Sequence, residues 1–157
     1  MPSRRDQIEM SPDEIRTYLR SQMRLILVSN GPDGYPHPMP MNFVIDDEDR
    51  YAIITFRKSQ KVKNLTRDPR AALLVESGIA YAELKSVLAY AEAEIIDDIE
   101  LVLDIMSTIA AKEMKAVSDF SPEVRDQARQ TAAKRVVIRF RPDRYITWDH
   151  SKLGGRY

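Results

Sequence analysis

The sequence predicts a mainly β domain, a small antiparallel barrel of about six strands with flanking helices. Apolar runs of strand length lie at 23–29, 51–56 and 70–76. Ser-Pro pairs at 11–12 and 121–122 are helix-start signals. The 157 residues fit one domain, which we expect over 11–157, after a loose segment at 1–10.

The first predicted helix begins at Ser11. Ser11 is a capping residue, Pro12 suits the first turn, and Glu14 stands at the capping-box position. Ile15, Tyr18 and Leu19 then share one face. This spacing predicts a short amphipathic helix that ends near residue 22.

Three strands are expected next. The run MRLILVS at 23–29 is followed by turn residues, NGPDG, at 30–34. The second strand carries Pro36, Pro38 and Pro40, and proline at every second position is tolerated in an edge or bulged strand. A charged turn at 46–50 precedes the third strand at 51–56, so two hairpins in series predict a meander.

The middle of the chain is predicted as helix, strand, strand. Ser59 is the expected cap of a short helix over 59–67, which Asp68-Pro69 ends. Strands are predicted at 70–76 and 83–96. Alternation in the second of these is incomplete, which predicts a bulge near Lys85-Ser86.

The last third is predicted as two helices and a strand segment. Asp97-Asp98 opens one helix, and Ser121 caps another that runs to about Lys134. Residues 135–148 form either a strand pair with a turn at Pro142-Asp143 or one long bent strand.

Composition excludes several function classes. The 24 basic and 24 acidic side chains cancel, so net charge gives no reason to expect a nucleic-acid partner. The absence of cysteine excludes disulfides, thiolate metal sites and a cysteine nucleophile, and two histidines are too few for a histidine metal cluster. No secretory signal or membrane-spanning run is visible, so we expect a cytoplasmic protein without a membrane partner.

One local cluster stands out against the zero net charge. Residues 57–70, RKSQKVKNLTRDPR, carry six basic side chains and one acidic side chain at the start of the predicted helix. Helix N–H groups and the helix dipole favour an anion there, and lysine and serine are suitable ligands for a phosphate. The structural alternative is a solvated charged surface.

Three stretches carry a resemblance to a known family. They are DGYPHPMPMNFVIDDEDRYAIITF, SQKVKNLTRDPRAALLVE and YAELKSVLAYAEAEIIDD. The chain resembles the pyridoxamine-phosphate-oxidase-like flavin-binding split barrels, and it is most similar to their flavin and deazaflavin oxidoreductase branch. The second stretch, close to the family's K-x-x-N-L-x-R-D-P-R element, is the most specific.

The resemblance implies an antiparallel split β-barrel and a homodimer that binds FMN or coenzyme F-420 between its subunits. The protein is then an oxidoreductase that transfers hydride to a small organic substrate. The implied cofactor-binding residues are Met39, Pro40, Met41, Asn42, Ile54, Thr55, Ser59, Gln60, Lys61, Lys63 and Trp148. The first six would line the ring, and Ser59, Gln60 and Lys61 occupy the place of the family's Ser-Arg-Lys phosphate grip. No metal is expected, and no catalytic side chain is assigned.

Departures from the family pattern narrow the activity. Gln60 replaces the arginine of the phosphate grip, and Met39 stands where true pyridoxamine-phosphate oxidases have arginine. Both argue against that named activity. Ser86 falls where a glutamine that contacts the ring is common. The K-V-K-N-L form is similar to that of deazaflavin users, and Arg57, Lys58 and Lys63 either extend toward the acidic tail of F-420 or are surface charges.

Other interpretations remain open at this point. A flavin- or haem-binding protein of the same fold without catalysis is one alternative, and a dimeric interaction module with a basic surface is another. Trp148 either covers the cofactor or closes the barrel end. His37, between two prolines, is expected to be exposed, and His150 is a weak candidate for acid–base chemistry. The substrate and the electron source do not follow from the sequence.

Overall fold

The computed structural model describes residues 3–115 and 119–154. The helices are α1 (Arg4–Ile8), α2 (Pro12–Ser21), α3 (Gln60–Arg67), α4 (Ile99–Glu113) and α5 (Pro122–Ala132). The strands are β1 (Arg24–Asn30), β2 (Pro36–Asn42), β3 (Val44–Ile45), β4 (Tyr51–Phe56), β5 (Arg70–Ser77), β6 (Lys85–Ile96) and β7 (Arg135–Asp149). Most predicted elements are present within a residue or two of their expected bounds. Within the described residues, no helix combines the length and apolar character that crossing a membrane requires.

The N-terminal segment differs from the loose chain expected at 1–10. Ser3 caps the short helix α1 through a reciprocal bond with Asp6. Met10 is 4% exposed, and its N–H donates to Thr147 Oγ1 at 2.9 Å. Local capping and a long-range contact with β7 therefore order part of this segment. The capping box predicted for α2 at Ser11 is confirmed.

The proline-containing strand lies at an edge of the sheet, as predicted. β2 pairs only with β1 in the sheet, with Pro36, Pro38 and Pro40 opposite Asn30, Val28 and Ile26. Successive residues of a strand direct their N–H groups to opposite sides, so prolines at every second position remove donors from one side only. The edge position therefore tolerates all three prolines.

The sheet closes into a split barrel because of a short connection. The strand order is β2-β1-β5-β6-β7-β4-β3, so β2 and β3 lie at opposite edges, yet only Phe43 separates them along the chain. The sheet must curl to bring these edges together, and Cα atoms of β2 and β4 approach within 8 Å. Both predicted hairpins are present, β1 with β2 and β3 with β4 across the 46–50 turn, but Phe43 divides the second strand into β2 and β3, so the strands form no continuous meander. β4 also pairs with the long β7, and the barrel interior and helices α4 and α5 bury its two faces.

The last strand is continuous, and its irregularity lies at a different place from the predicted bulge. The β6–β7 register is regular at Lys85 and Ser86 and shifts between Tyr90 and Ala91. Tyr90 pairs with Arg144 and Ala91 with Pro142, so Asp143 is the extra residue. The Pro142-Asp143 segment is therefore a bulge in one long strand.

Two hydrophobic clusters hold the fold together. The first fills the barrel, with Leu25, Leu27, Tyr51, Leu73 and Val87 among its fully buried members. The second lies between the outer side of β4 and helices α4 and α5. Helices cover the two barrel ends: α2 leads directly into β1, and α3 leads directly into the antiparallel strand β5. We call the end covered by α2 the α2 end and the end covered by α3 the α3 end.

Candidate functional site

The N-terminus of α3 begins without the side-chain cap that the sequence predicts. Ser59 is the N-cap residue by backbone conformation, but its hydroxyl accepts no bond from a helix N–H. The hydroxyl instead accepts a 3.4 Å hydrogen bond from Thr55 Oγ1, at the end of β4. The first-turn N–H groups thus keep their capacity to bind another acceptor.

Lys61 is a buried cation at this place. The residue is 8% exposed, and Nζ donates to Thr55 Oγ1 at 3.1 Å. No carboxylate of residues 3–115 and 119–154 lies within 4.0 Å of Nζ. Burial lowers the pKa of Lys61, because the desolvated ammonium is not compensated by an opposite charge. An anion bound at Nζ would remove this electrostatic cost.

Gln60 is bonded to a neighbouring amide. Its Nε2 donates to Asn64 Oδ1 at 2.8 Å, and Asn64 Nδ2 donates to Ser29 Oγ at 3.1 Å. Asn64 is 0% exposed and Ser29 is 1% exposed. Sequence reasoning missed this pair. The available signal was a polar residue, Asn64, placed between the inward apolar residues of a short helix.

The β2 side of the split contains the four residues predicted to line a ring. Met39 and Met41 alternate with exposed Pro40 and share a face with the buried residues of β1 that pair with them. Asn42 is tied down by two neighbours: Oδ1 accepts from Arg24 Nε at 3.4 Å, and Nδ2 donates to Glu113 Oε1 at 2.9 Å. The two methionines are therefore the half-buried apolar residues on this side.

The β4 side contains Ile54 and Thr55, whose side chains point in opposite directions. Ile54 packs against the second cluster, under α4 and α5, whereas Thr55 is buried beside Lys61. The structure thus brings together Thr55, Ser59 and Lys61 at the α3 end, across the split from β2. Ile54 is adjacent in sequence to this group, but its side chain supports the wall from behind.

The basic side chains of 57–70 differ in whether they already have partners. Arg57 pairs with Asp97 at 2.7 Å, and Arg70 pairs with Asp68 at 2.8 Å. Arg67 donates to the backbone carbonyl of Asn30. Lys58 and Lys63 are exposed, and no carboxylate in the described part of the chain pairs with either. Within residues 57–70, these two exposed lysines and Lys61 are therefore the basic side chains that have neither a carboxylate nor a backbone carbonyl as partner.

Trp148 lies away from this group. It pairs with Ser86 on β6 near the C-terminal end of β7, whereas Thr55 pairs with Val136 at the other end of that strand. The Ser86 hydroxyl donates to the Val75 carbonyl at 3.0 Å and is 1% exposed. Within a single chain, Trp148 and Lys61 therefore lie near opposite ends of β7.

The two histidines have different surroundings. His37 is half-buried rather than exposed, and within the described residues its buried Nδ1 has no hydrogen-bond partner. Pairing with the buried Ser29 on β1 explains the lower exposure. The His150 ring contacts the Tyr81 ring at a tilt of 50° with centroids 4.5 Å apart, and its Nδ1 lies 3.0 Å from the Tyr81 carbonyl. These contacts give His150 a structural role in holding the 81–83 turn.

An apolar cavity of about 340 Å³ lies at the α2 end and contains no predicted site residue. Ile15 and Leu19 of α2, Ile45 of β3 and Tyr145 of β7 form much of its wall. The arginines at its rim are already paired, as in the 2.8 Å contact of Arg16 with Asp49. Uncommitted buried charge is thus found at Lys61 and not at this cavity.

Comparison with known proteins identifies the family. Residues 11–149 match the family described as pyridoxamine 5'-phosphate oxidase. A conserved hypothetical protein, Rv2991 from Mycobacterium tuberculosis, is 32% identical, with a TM-score of 0.88 over 99% of this chain and 95% of that one. A search of curated protein sequences finds no match.

Two more distant structures share the fold. An F-420 reductase is 20% identical, with a TM-score of 0.62 over 83% of this chain and 94% of that one. The haem storage protein HutZ from Vibrio cholerae is 17% identical, with a TM-score of 0.62 over 85% of this chain and 90% of that one. At these identities the likeness establishes the split-barrel fold alone.

Proposed function

The chain belongs to the pyridoxamine 5'-phosphate oxidase family, and we propose that it is an oxidoreductase that uses a flavin or deazaflavin cofactor. The cofactor phosphate binds at Lys61, and the ring lies along the split between β2 and β4. The reaction is hydride transfer to a small organic substrate.

Lys61 is the observation that carries this proposal. Proteins rarely bury an ammonium group without an opposite charge, because desolvation costs several kcal/mol on an order-of-magnitude scale. Here Lys61 as a whole residue is 8% exposed, and its ammonium donates only to a neutral hydroxyl among the described residues. A phosphate fits this site, because it accepts from Nζ, from the Ser59 hydroxyl and from the uncapped first turn of α3.

The bound cofactor would supply the hydride chemistry, and the chain supplies binding and orientation. Met39 and Met41 offer polarizable apolar surface to a ring. Pro40 alternates with the methionines and lies on the opposite face of β2, and the bonds of Asn42 to Arg24 and Glu113 hold its amide in one orientation. Ile54 packs behind β4 and excludes water from the rear of the split. No side chain is assigned to proton delivery.

Pyridoxamine-phosphate oxidation itself is not the proposed activity. An arginine at position 39 or 60 would offer a second cation for a phosphate, but Met39 is apolar. The Gln60 amide donates to Asn64. We therefore expect no oxidation of pyridoxamine 5'-phosphate above background in an assay supplied with saturating FMN.

Coenzyme F-420 is favoured over FMN by the lysines beside Lys61. Lys58 and Lys63 are exposed and have no acidic partner in the described ranges. An acidic tail on the far side of the cofactor phosphate would pair with them, whereas FMN has no group to reach them. Alanine at both positions should therefore weaken F-420 binding and leave FMN binding unchanged.

The functional unit is proposed to be a homodimer. Pairing registers align Pro40, Ile26, Leu74, Leu88 and Ile146 in one row across the outer face of the sheet. Such a row is suited to burial against a second copy, which would bring a second Trp148 toward the split. Light scattering should give twice the chain mass, and Ile26→Asp should give a monomer.

A titration tests the central claim. Purified protein is mixed with FMN and, separately, with F-420, and binding is followed by fluorescence quenching. Lys61→Ala should weaken binding about tenfold to a hundredfold, since hydrogen bonds to charged groups contribute roughly 1.5–3 kcal/mol. Lys63→Ala, on the exposed side of the same helix, is the matched control and should retain FMN affinity.

The same preparation separates the competing functions. Cofactor binding without turnover of any small organic substrate would favour a cofactor carrier. A Soret band on addition of haem, with no flavin binding, would favour a haem protein of this fold. Unchanged FMN and F-420 affinity in Lys61→Ala would refute the phosphate assignment.

A further inference from the structure

We propose that Asn64 is a positioning residue for the phosphate site. It fixes the rotation of α3 and thereby holds Lys61 Nζ beside Thr55. The inference rests on the proposed function, because it concerns the phosphate of the same cofactor, but it assigns a role to a residue that does not touch that phosphate.

Asn64 is completely buried, and both the nitrogen and the oxygen of its side-chain amide make hydrogen bonds. Nδ2 donates to Ser29 Oγ at 3.1 Å, and Oδ1 accepts from Gln60 Nε2 at 2.8 Å. Asn64 and Ser29 are 0% and 1% exposed. Burying an amide is unfavourable unless its hydrogen bonds are made, so the contact with Ser29 restricts the orientation in which α3 can pack. The contact with Gln60 lies within α3 and holds the amide in place.

Three polar contacts tie α3 to two different strands, and one of them is the bond from Arg67 to the Asn30 carbonyl of β1. Asn64 reaches Ser29 on β1, and Lys61 reaches Thr55 on β4. β1 and β4 are not neighbours in the sheet, so α3 bridges the barrel end between them. Residues three apart lie on one side of a helix, so fixing Asn64 toward β1 determines where Lys61 points.

The apolar contacts of α3 do not provide this directionality. Val62 and Leu65 are buried in the barrel cluster, and hydrophobic burial is not directional. A small rotation of α3 would preserve most of their contact while moving Nζ, at the end of a long side chain, away from the split. The Asn64–Ser29 hydrogen bond, in the buried interior, opposes that rotation together with the exposed bond of Arg67 to the Asn30 carbonyl.

This arrangement also explains the glutamine at position 60. The Gln60 amide donates into the helix to Asn64 instead of extending toward an anion. Position 60 therefore contributes to the rigidity of α3, and Lys61 is the buried cation left to bind the phosphate. Phosphate binding then depends on the accuracy with which one side chain is placed.

A comparison of two ligands tests positioning separately from stability. FMN and riboflavin differ by the phosphate, so the ratio of their affinities reports on the phosphate contacts. We expect the wild-type protein to prefer FMN by at least about tenfold, which corresponds to 1.4 kcal/mol. Asn64→Leu should reduce this preference toward that of Lys61→Ala and leave riboflavin affinity within about twofold.

Two further variants protect the test. Ser29→Ala removes only the Asn64–Ser29 contact and should partly reduce the preference for FMN over riboflavin. This variant replaces Asn64→Leu as the test if Asn64→Leu does not fold. Thr66→Ala changes a residue of the same helix whose hydroxyl bonds within α3, and it should retain the wild-type ratio. In Lys61→Ala, adding Asn64→Leu should cause no further loss, because the two residues act through one contact.

The outcomes separate this inference from the proposed function. If Lys61→Ala abolishes the preference while Asn64→Leu and Ser29→Ala retain it, Asn64 does not position Lys61. Equal loss of both ligands in those variants would show a purely structural role and would also overturn the inference. If Lys61→Ala retains the preference, or the wild-type protein binds neither ligand nor F-420, the proposed function fails as well.

Discussion

The two ends of the barrel differ in how the charge of a lysine is compensated. At the α2 end, Lys85 Nζ lies 2.7 Å from Asp149 Oδ2, and the two side chains are 30% and 7% exposed. At the α3 end, Lys61 is 8% exposed and has only a neutral hydroxyl as its partner among the described residues. A paired buried charge belongs to the fold, whereas an unpaired one indicates a site for a ligand of opposite charge.

The same contrast appears in the titration behaviour. Burial by itself would raise the pKa of Asp149, but hydrogen bonds from Lys85 and Ser151 outweigh it and lower that pKa. Burial lowers the pKa of Lys61, and no charge opposes this effect. The Lys85–Asp149 pair is thus stabilised within the protein, whereas Lys61 carries an electrostatic cost that a bound anion would relieve.

The largest expected effect separates these two lysines by stability. Lys85→Met should lower the free energy of unfolding by about 2–3 kcal/mol, because it leaves the Asp149 carboxylate buried without its partner. Lys61→Met should leave it unchanged or raise it by about 1 kcal/mol, since an apolar side chain replaces an unpaired charge. Urea unfolding of the ligand-free proteins measures both, and a larger loss in Lys61→Met would contradict the comparison.

Alkaline pH gives a smaller effect of defined sign. Lys61 binds its proton more weakly in the folded than in the unfolded protein, so stability should rise with pH from its lowered folded pKa up to the unfolded value of about 10.4. Across this range the free energy of unfolding of the wild-type protein should therefore rise relative to that of Lys61→Met by roughly 1 kcal/mol or less. Burial also lowers the pKa of Lys112, but Lys112 is present in both proteins, so its contribution cancels in the difference between them.

Acidic pH tests the other end. The lowered pKa of Asp149 contributes stability that is complete above its unfolded pKa of about 3.9 and is lost as pH falls through the folded value. Asp149→Asn should abolish this part of the acid transition. Acid titrations of wild type and variant, followed by circular dichroism, should converge at the lowest pH.

The smallest expected effect concerns an exposed pair at the α2 end. Arg16 and Asp49 make a bidentate contact, but both side chains are more than 40% exposed. Arg16→Gln should therefore shift the urea midpoint only slightly, and this shift should become smaller still at high salt. A larger cost would show that charge pairing at this end matters irrespective of burial.

Much of the local structure followed from neighbouring residues in the chain. The capping box at Ser11, the edge position of the proline-containing β2 and the end of α3 at Asp68 were each predicted from a few adjacent residues. The basic segment was identified as a candidate anion site for the same reason. Caps, prolines and alternation act over one or two turns, so the sequence expresses them directly.

The pairing of distant segments did not follow in this way. The meander required one unbroken second strand, whereas Phe43 divides it into β2 and β3 at opposite edges of the sheet, and β4 pairs with β7 as well as β3. The bulge predicted at Lys85-Ser86 is found instead at Asp143. Alternating patterns specify which face of a strand is buried but not which strand it pairs with. Partner choice depends on how the whole sheet closes, here through the single residue Phe43.

By itself, the sequence determined the elements, the family resemblance and the position of Lys61 at the start of a helix. Only the tertiary structure decided that Lys61 is buried without an acid in the described residues, that Gln60 bonds to Asn64, and that Trp148 lies at the other end of β7. The reason is that burial and charge compensation arise from residues far apart in the chain. Lys61 and Lys85 are the same residue type in the sequence, and only their surroundings in the folded protein distinguish a ligand site from a structural ion pair.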